Sequence, residues 1–323
     1  TAPTPTQSQI NSLLEHFQRG EFGIAEDLAL SVTAKFPQHD FGWKVLGALY
    51  GQSGRSSEAA DANQKAATLS PLDPETHSNL GVSLKELGRL EEAVLSYKKA
   101  ITLKSDYAEA HYNLGVALQD LGRLEEAETS YNQATISKPK FAEAHGNLGN
   151  VLQELGRLGE AEISLRKAIE IQPDYALAHS NLGNILRELG GLREAEASHR
   201  RAVDLKPELP EAHGNLANTL RELNLVEEAE QSYTRAIKLK PDYADAHLNY
   251  GILLRTQKRH EEAVESFTQA IRLDSDLVDA YNNLGITLRE QGKLEAAKSS
   301  FEKAIDLERD NDLVHSNLGN VQK

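Results

Sequence analysis

The chain alternates between short amphipathic blocks and small, turn-forming residues. Over residues 108–139, apolar residues recur at intervals of three and four in two blocks, which the sequence Leu-Gly-Arg-Leu at 121–124 separates. This spacing places the apolar residues on one face of an α-helix, so the stretch predicts a helix, a tight turn and a second helix. The proline at 139 follows the second block, where its missing N–H costs nothing.

The same pattern returns every 34 residues without insertion or deletion. We number positions 1–34 within each repeat. Repeats 1–8 together span residues 40–311, and they begin at residues 40, 74, 108, 142, 176, 210, 244 and 278. Residues 312–323 supply only the first helix of a truncated ninth repeat. Residues 6–39 keep few of the shared residues and are interpreted as a degenerate opening repeat, and the Thr- and Pro-rich residues 1–5 as a disordered leader.

Small and aromatic positions explain how such helices could pack. Position 8 is Gly in every repeat except the sixth, where it is Ala217, and positions 20 and 27 are mostly Ala, so helices can approach closely. Bulky residues at position 24 would fill the space between them. Position 15, between the two blocks, is predicted to adopt the left-handed conformation that glycine tolerates best, at Gly88, Gly122, Gly156, Gly190 and Gly292. One repeat cannot bury both faces of its helices, so neighbouring repeats must stack.

Leu-Gly at positions 7 and 8, Ala at 20, an aromatic at 24, Ala at 27 and Pro at 32, on a period of 34, resembles the tetratricopeptide repeat. The resemblance implies an all-α fold, a right-handed superhelical solenoid of antiparallel helix pairs. It also implies that the first helix of each repeat lines a concave groove, with positions 2, 5, 6, 9, 12 and 13 facing it. Members of this family bind protein or peptide segments there.

Histidine replaces the aromatic residue usual at position 4 in seven repeats. Equivalent positions of adjacent repeats lie about 10 Å apart, whereas zinc needs ligands that converge on one point, so no metal site is predicted. We expect each imidazole tip to reach the backbone of a neighbouring repeat, and the stack to loosen as these imidazoles become protonated near pH 5–6. The seven are His77, His111, His145, His179, His213, His247 and His315.

Composition and charge exclude several classes of function. The chain has no Cys, and no phosphate loop, GxSxG or HExxH motif, so no catalytic residue, cofactor or enzymatic activity is predicted. Its net charge of -14 opposes nucleic-acid binding, including a reading as a single-stranded RNA binder. No run approaches the roughly 18 apolar residues that cross a bilayer, so no membrane association is expected. We expect a cytoplasmic location instead.

An unbroken column of asparagine at position 6 is the candidate binding feature. Asparagine costs a few tenths of a kcal/mol or more against alanine inside a helix, so something should offset that cost. Its amide can pair with both the C=O and the N–H of an extended peptide. The column comprises Asn79, Asn113, Asn147, Asn181, Asn215, Asn249, Asn283 and Asn317.

Other columns favour the stretch 142–255 as the ligand site. Position 9 adds a second amide at Asn150, Asn184 and Asn218, and position 12 adds cations for ligand carboxylates at Arg187, Arg221 and Arg255. Position 5 is small there, which we interpret as room for a ligand backbone, at Gly146, Ser180 and Gly214.

Two other interpretations of these columns remain open. The position-6 amides could bond between neighbouring helices and merely set the twist of the stack. The arginines could likewise pair with the carboxylates at position 13, among them Glu154, Glu188 and Glu222, as a solvated lattice of charges.

The asparagine column resembles that of the superhelical arm of O-linked N-acetylglucosamine transferases and related bacterial repeat proteins, where such side chains grip an extended polypeptide. The leading hypothesis is a non-catalytic scaffold that binds extended peptides. The alternative is the substrate-recruiting arm of a larger, glycosyltransferase-like enzyme whose catalytic domain lies outside this chain. Apolar residues of the ninth repeat, Leu313, Leu318 and Val321, lack a second helix to cover them, which predicts end-to-end self-association.

Overall fold

The computed structural model describes residues 3–321 and, within them, contains 19 α-helices and no strand. Residues 1–2 of the expected leader and residues 322–323 of the ninth repeat lie outside the described residues. The helices are α1 (Gln7–Gln18), α2 (Phe22–Lys35), α3 (Asp40–Gln52), α4 (Ser56–Leu69), α5 (Pro74–Glu86), α6 (Leu90–Leu103), α7 (Ala108–Asp120), α8 (Leu124–Ser137), α9 (Ala142–Glu154), α10 (Leu158–Ile171), α11 (Ala176–Glu188), α12 (Leu192–Leu205), α13 (Pro210–Glu222), α14 (Val226–Leu239), α15 (Ala244–Thr256), α16 (His260–Leu273), α17 (Val278–Glu290), α18 (Leu294–Leu307) and α19 (Asp312–Gly319).

Successive helices pack as pairs, which confirms the all-α solenoid prediction. The contacts divide the chain into two compact units, the first ending at Ile171 and the second beginning at Gln172. In the first unit, α3 contacts α5 and α5 contacts α7; in the second, α11, α13, α15 and α17 contact one another in succession. These helices are the first of their repeats. We therefore call their exposed side the inner face of each unit.

A ring at position 24 is the centre of the core in six of the eight full repeats, the exceptions being Asn63 in repeat 1 and Leu165 in repeat 4. Tyr97 is fully buried against the position-8 glycine, and a Cβ placed on Gly81 would lie only 2.6 Å from its Cε1 atom. Phe267 packs on Gly251 at the same distance. The small residue at position 8 is therefore what admits a large ring at position 24.

The turn between the paired helices has the predicted left-handed residue. The five glycines named for it have φ between 71° and 83°. Two repeats place other residues there, Asn224 with φ 58° and Lys258 with φ 62°. Asparagine adopts this conformation at little cost, whereas for lysine it costs about 1–2 kcal/mol. Lys258 is therefore a strained position.

Replacing Lys258 by glycine should stabilise the protein by about 1 kcal/mol, because relief of the left-handed strain exceeds the added chain entropy. Asn224→Gly is the matched control, because Asn224 occupies the same position and already tolerates this φ. Its substitution should raise the free energy of unfolding by less than Lys258→Gly does. Urea unfolding of both variants measures the difference. Equal midpoints for Lys258→Gly and the parent chain would contradict the strain.

The apolar residues expected at the last edge are not equally exposed. Leu318 and Val321 are partly buried and pack against the last core cluster with the buried Val314. Leu313 is 63% exposed. Among residues 3–321, no helix is long and apolar enough to span a membrane.

Candidate functional site

The position-4 histidines reach the backbone of the preceding repeat, as predicted. Each Nε2 lies 2.8–3.1 Å from the carbonyl oxygen of position 32 in that repeat, from His77 with Pro71 to His315 with Arg309. A carbonyl only accepts, so Nε2 carries the proton and donates it. Trp43 makes the same contact, from Nε1 to the oxygen of Pro37 at 3.2 Å. These imidazoles therefore join repeats.

This geometry changes the expected response to acid. Protonation adds a proton at Nδ1 and leaves the Nε2–H donor in place, so the bond between repeats survives it. Burial lowers the pKa of His145 as well, but the most acid-sensitive histidine is His199, at position 24, which is fully buried and whose pKa burial lowers to about 4. Within the described part of the chain, no group of three His, Asp or Glu side chains is placed to hold a metal ion.

We call each position-6 asparagine a rung of the column, and the three rungs of the first unit have two kinds of environment. The Nδ2 of Asn147 donates to the hydroxyl of Tyr112 at 3.2 Å and lies 3.5 Å from that of Tyr131. The side chains of Asn79 and Asn113 are half-buried and make no hydrogen bond within residues 3–321. One rung is thus fixed by its neighbours and two are open.

In the second unit, some rungs bond to the preceding repeat and others bond only to their own helix. Asn215 donates to the hydroxyl of Ser180 at 3.2 Å and Asn317 to the Oδ1 of Asn282 at 2.9 Å, both in the preceding repeat. Asn249 and Asn283 donate only to carbonyls of their own helices, at 3.0 and 2.9 Å. Asn181 also has a bonding partner. The interpretation as a bond between helices therefore holds for Asn147, Asn215 and Asn317.

The residue at position 5 of the preceding repeat accounts for some of these differences, although Asn113 follows Ser78 there and still makes no hydrogen bond within residues 3–321. Asn215 and Asn317 meet polar partners there. Asn249 and Asn283 face repeats whose position 5 is Gly214 and Leu248, which offer no side-chain acceptor. Their Nδ2 atoms turn back to their own backbone, and within the described residues their Oδ1 atoms accept no hydrogen bond.

The expectation that position 5 leaves room for a ligand backbone is wrong. Ser180 is 4% exposed and Gly214 is buried. A Cβ on Gly214 would lie 3.4 Å from the ring of Tyr243, the aromatic residue at position 34 of the same repeat. The small residue Gly214 therefore accommodates this loop ring rather than a ligand.

The position-9 amides are half-buried, and one of them bonds to the core ring of its repeat. Asn218 Oδ1 accepts a 2.6 Å hydrogen bond from the hydroxyl of Tyr233, the buried ring of its own repeat. The Oδ1 of Asn184 is shielded from solvent and has no partner in the described structure, because position 24 of that repeat is His199. Asn150 has a bonding partner.

The arginine column is paired in two repeats and open in one. Arg187 bonds to Glu222 at 2.9 Å and Arg255 lies 3.5 Å from Glu290, each carboxylate being at position 13 of the next repeat. For Arg221 that position holds Thr256. Its guanidinium makes no ion pair or hydrogen bond with any described residue. The charge lattice is thus interrupted at Arg221.

The inner-face geometry belongs to a repeat that family comparisons recognise. Residues 83–122 match the TPR repeat, and residues 108–141, 140–208, 180–244, 215–278 and 278–311 match the tetratricopeptide repeat. Together the matches run from residue 83 to residue 311. The chain belongs to the tetratricopeptide repeat family. As a tetratricopeptide repeat protein it is a protein-interaction scaffold, and this repeat fold is generally non-catalytic.

Solved structures share this fold at low sequence identity. The APC/C hetero-tetramer Cut9–Hcn1 has 14% identity and a TM-score of 0.66, and the match covers 94% of this chain and 59% of that one. PilF of Pseudomonas aeruginosa has 22% identity and a TM-score of 0.57, with 64% of this chain and 94% of that chain covered. No curated protein matches the chain.

Proposed function

We propose that this tetratricopeptide repeat chain is a non-catalytic scaffold that binds an extended peptide on the inner face of its second unit. The observation that carries the proposal is the pair Asn249 and Asn283. Their amides are half-buried on consecutive first helices, and each retains an Oδ1 acceptor and one N–H that the protein does not use.

The chemistry of these amides suits main-chain recognition. A peptide lying across α15 and α17 can donate its N–H to an Oδ1 and accept from an Nδ2 with its carbonyl, whatever its side chains are. Rungs that bond across, such as Asn215, hold neighbouring first helices in register. The same inner face would serve the substrate-recruiting arm of a larger enzyme, so the experiment below applies to that alternative as well.

Simultaneous Asn249→Ala and Asn283→Ala substitution should weaken peptide binding about tenfold, because hydrogen bonds contribute about 1 kcal/mol each and part of that is regained through water. The probes are peptides selected from a random nine-residue display library on the full chain. Binding is measured by calorimetry against parent and variant.

Gln269→Ala provides the control, since it removes an amide from the second helix α16, away from the inner face. Its affinity should equal that of the parent chain. Circular dichroism must show the same helix content in all three proteins. Selected peptides that bind the double variant as tightly as the parent would overturn the proposal.

A further inference from the structure

Three columns depart from their usual residue in the first repeat, and the departures meet at one place. Position 24, a bulky residue in repeats 2–8, is Asn63; position 9 is Ala48; and position 12 is Gly51. Each is smaller than the residues that hold these positions in the next three repeats, which are aliphatic or amide at position 9 and long and polar at position 12. Side-chain volume is therefore removed from one site on the inner face of the first unit.

The removed volume is present as a cavity. A pocket of about 400 Å³ opens between α3 and α5, and we call it the first-repeat pocket. It is lined by Gly47, Gly51, Gln52, Asn63, Asn79 and Glu86, together with one serine and two aliphatic side chains. In repeat 2 the equivalent space is filled by the ring of Tyr97 against Gly81.

Asn63 gives the pocket a polar floor. It is 4% exposed, and its Nδ2 donates to the hydroxyl of Ser83 at 2.9 Å and to the carbonyl of Asn79 at 3.3 Å. These bonds fix the amide so that its Oδ1 lies beside Gly47. That oxygen accepts no hydrogen bond from the described residues, so it is a positioned, unused acceptor.

The only ionisable lining residue is acidic. Glu86 accepts one long hydrogen bond, 3.4 Å from the hydroxyl of Ser56, and makes no ion pair with any described residue, including its neighbour Lys85. The half-buried amide of Asn79 is also open, as described above. The pocket thus combines one carboxylate with several amide acceptors.

We propose that the first-repeat pocket binds the guanidinium of an arginine side chain carried by a peptide ligand. A guanidinium has five N–H donors and no acceptor, which matches a lining of one carboxylate and several amide oxygens. A carboxylate ligand would meet Glu86 with no cation to offset it. A compact ammonium offers three donors and cannot pair with a carboxylate in the bidentate manner of arginine.

The inference rests on the proposed function in that the ligand is a peptide, yet it concerns the other unit. Its residues belong to α3, α4 and α5, whereas the proposed peptide contacts belong to α15 and α17. Either site can be inactivated without touching the other.

The test is titration with acetyl-Ala-Ala-Arg-Ala-Ala-amide and with the same peptide carrying citrulline, which keeps the shape and removes the charge. The full chain labelled with 15N-glycine reports binding through the amide signals of Gly47 and Gly51. The arginine peptide should shift both signals, and the citrulline peptide should bind at least tenfold more weakly.

Two variants test the lining. Glu86→Gln should weaken the arginine peptide about tenfold, and Asn63→Tyr should abolish its binding by filling the pocket as Tyr97 does in repeat 2. Asp120→Asn removes the carboxylate at the same position in repeat 3, where Tyr97 of repeat 2 fills the corresponding space, and should bind like the parent. The combined Asn249→Ala and Asn283→Ala variant should also bind this peptide unchanged.

Equal binding of the arginine and citrulline peptides would overturn the pocket proposal, as would unchanged binding to Asn63→Tyr or no shift at Gly47 and Gly51. If display-selected peptides still depend on Asn249 and Asn283 in that case, the proposed function stands and only the pocket falls. If the arginine peptide binds as expected while the affinity of the selected peptides does not depend on those asparagines, the pocket proposal stands and the proposed function falls.

Discussion

His199→Tyr should remove most of the acid sensitivity of the second unit and stabilise it at neutral pH. His199 is 0% exposed, and neither ring nitrogen has a hydrogen-bond partner among the described residues. Burial, and to a smaller extent the charge of Arg187, lowers the pKa of His199 to about 4. Unpaired buried polar atoms cost free energy in the folded state, so His199 lowers the stability of the protein even at pH 7.

The direction of the pH effect follows from the lowered pKa. The unfolded imidazole, with a pKa near 6.5, binds a proton at a higher pH than the folded one, so protons favour unfolding. The stability is therefore fully present above about pH 6.5 and is lost as the pH falls toward 4. Each pKa unit corresponds to about 1.4 kcal/mol, so about 3 kcal/mol disappears over this range.

Tyrosine suits the site because the next repeat shows how it is satisfied. There the hydroxyl of Tyr233 donates to Asn218. In His199→Tyr the hydroxyl can donate to the unpartnered Oδ1 of Asn184. Thermal melting at pH 7.0, 5.5 and 4.5 measures the outcome. The melting temperature of the parent should fall steeply with pH, whereas that of the variant should fall only by the amount that protonation of its carboxylates causes. Parallel pH curves for the two proteins would contradict the role of His199.

Arg221→Gln should weaken acidic display-selected peptides about thirtyfold and leave neutral ones nearly unchanged. A hydrogen bond between charged groups is worth about 1.5–3 kcal/mol, and this guanidinium is half-buried without a carboxylate partner. A ligand carboxylate can therefore bind it without displacing an existing ion pair.

Arg187→Gln is the matched control at the same position of the preceding repeat. Arg187 already bonds to Glu222, so a ligand carboxylate gains less from it and the loss should stay within about threefold. Thr256→Glu offers a second check: it restores the missing carboxylate beside Arg221 and should weaken acidic peptides as Arg221→Gln does. Acidic peptides that lose equal affinity in the Arg187 and Arg221 variants would contradict the assignment.

Much of the fold could be predicted because its determinants recur at one period. A glycine at position 15 signals the left-handed turn, and the seven position-4 histidines signal a common contact, since each meets a carbonyl of the preceding repeat. These contacts depend on neighbours at constant sequence distance. The repeat alone therefore specifies them.

The candidate site could be predicted less well because its chemistry depends on pairs of columns. Asparagine at position 6 looks uniform, yet Asn215 bonds to Ser180 while Asn249, behind Gly214, does not. The same applies to Arg221, whose isolation follows from Thr256 in the next repeat. Comparing position 12 with position 13 of the next repeat would have identified the isolation of Arg221. Position 5 of the preceding repeat does not predict every amide, since Asn113 follows Ser78 and makes no hydrogen bond with the described residues.

The first-repeat pocket was missed for a related reason. Asn63 does not belong to a recurring asparagine column, and a search for recurring residues does not identify a single departure at position 24. Substitution of a small polar residue for a core ring, together with Ala48 and Gly51 on the facing helix, is a sequence signal for such a cavity.

The most direct test of peptide binding by the inner face observes the asparagine side chains themselves. In 15N-asparagine-labelled chain, the NH2 signals are recorded with and without a saturating display-selected peptide, and the Ala variants assign them. We predict shifts at Asn249 and Asn283, and none at Asn132 and Asn311, which bond to Glu128 and Glu308 away from the inner face. Bound peptide that leaves the Asn249 and Asn283 signals in place would contradict the account.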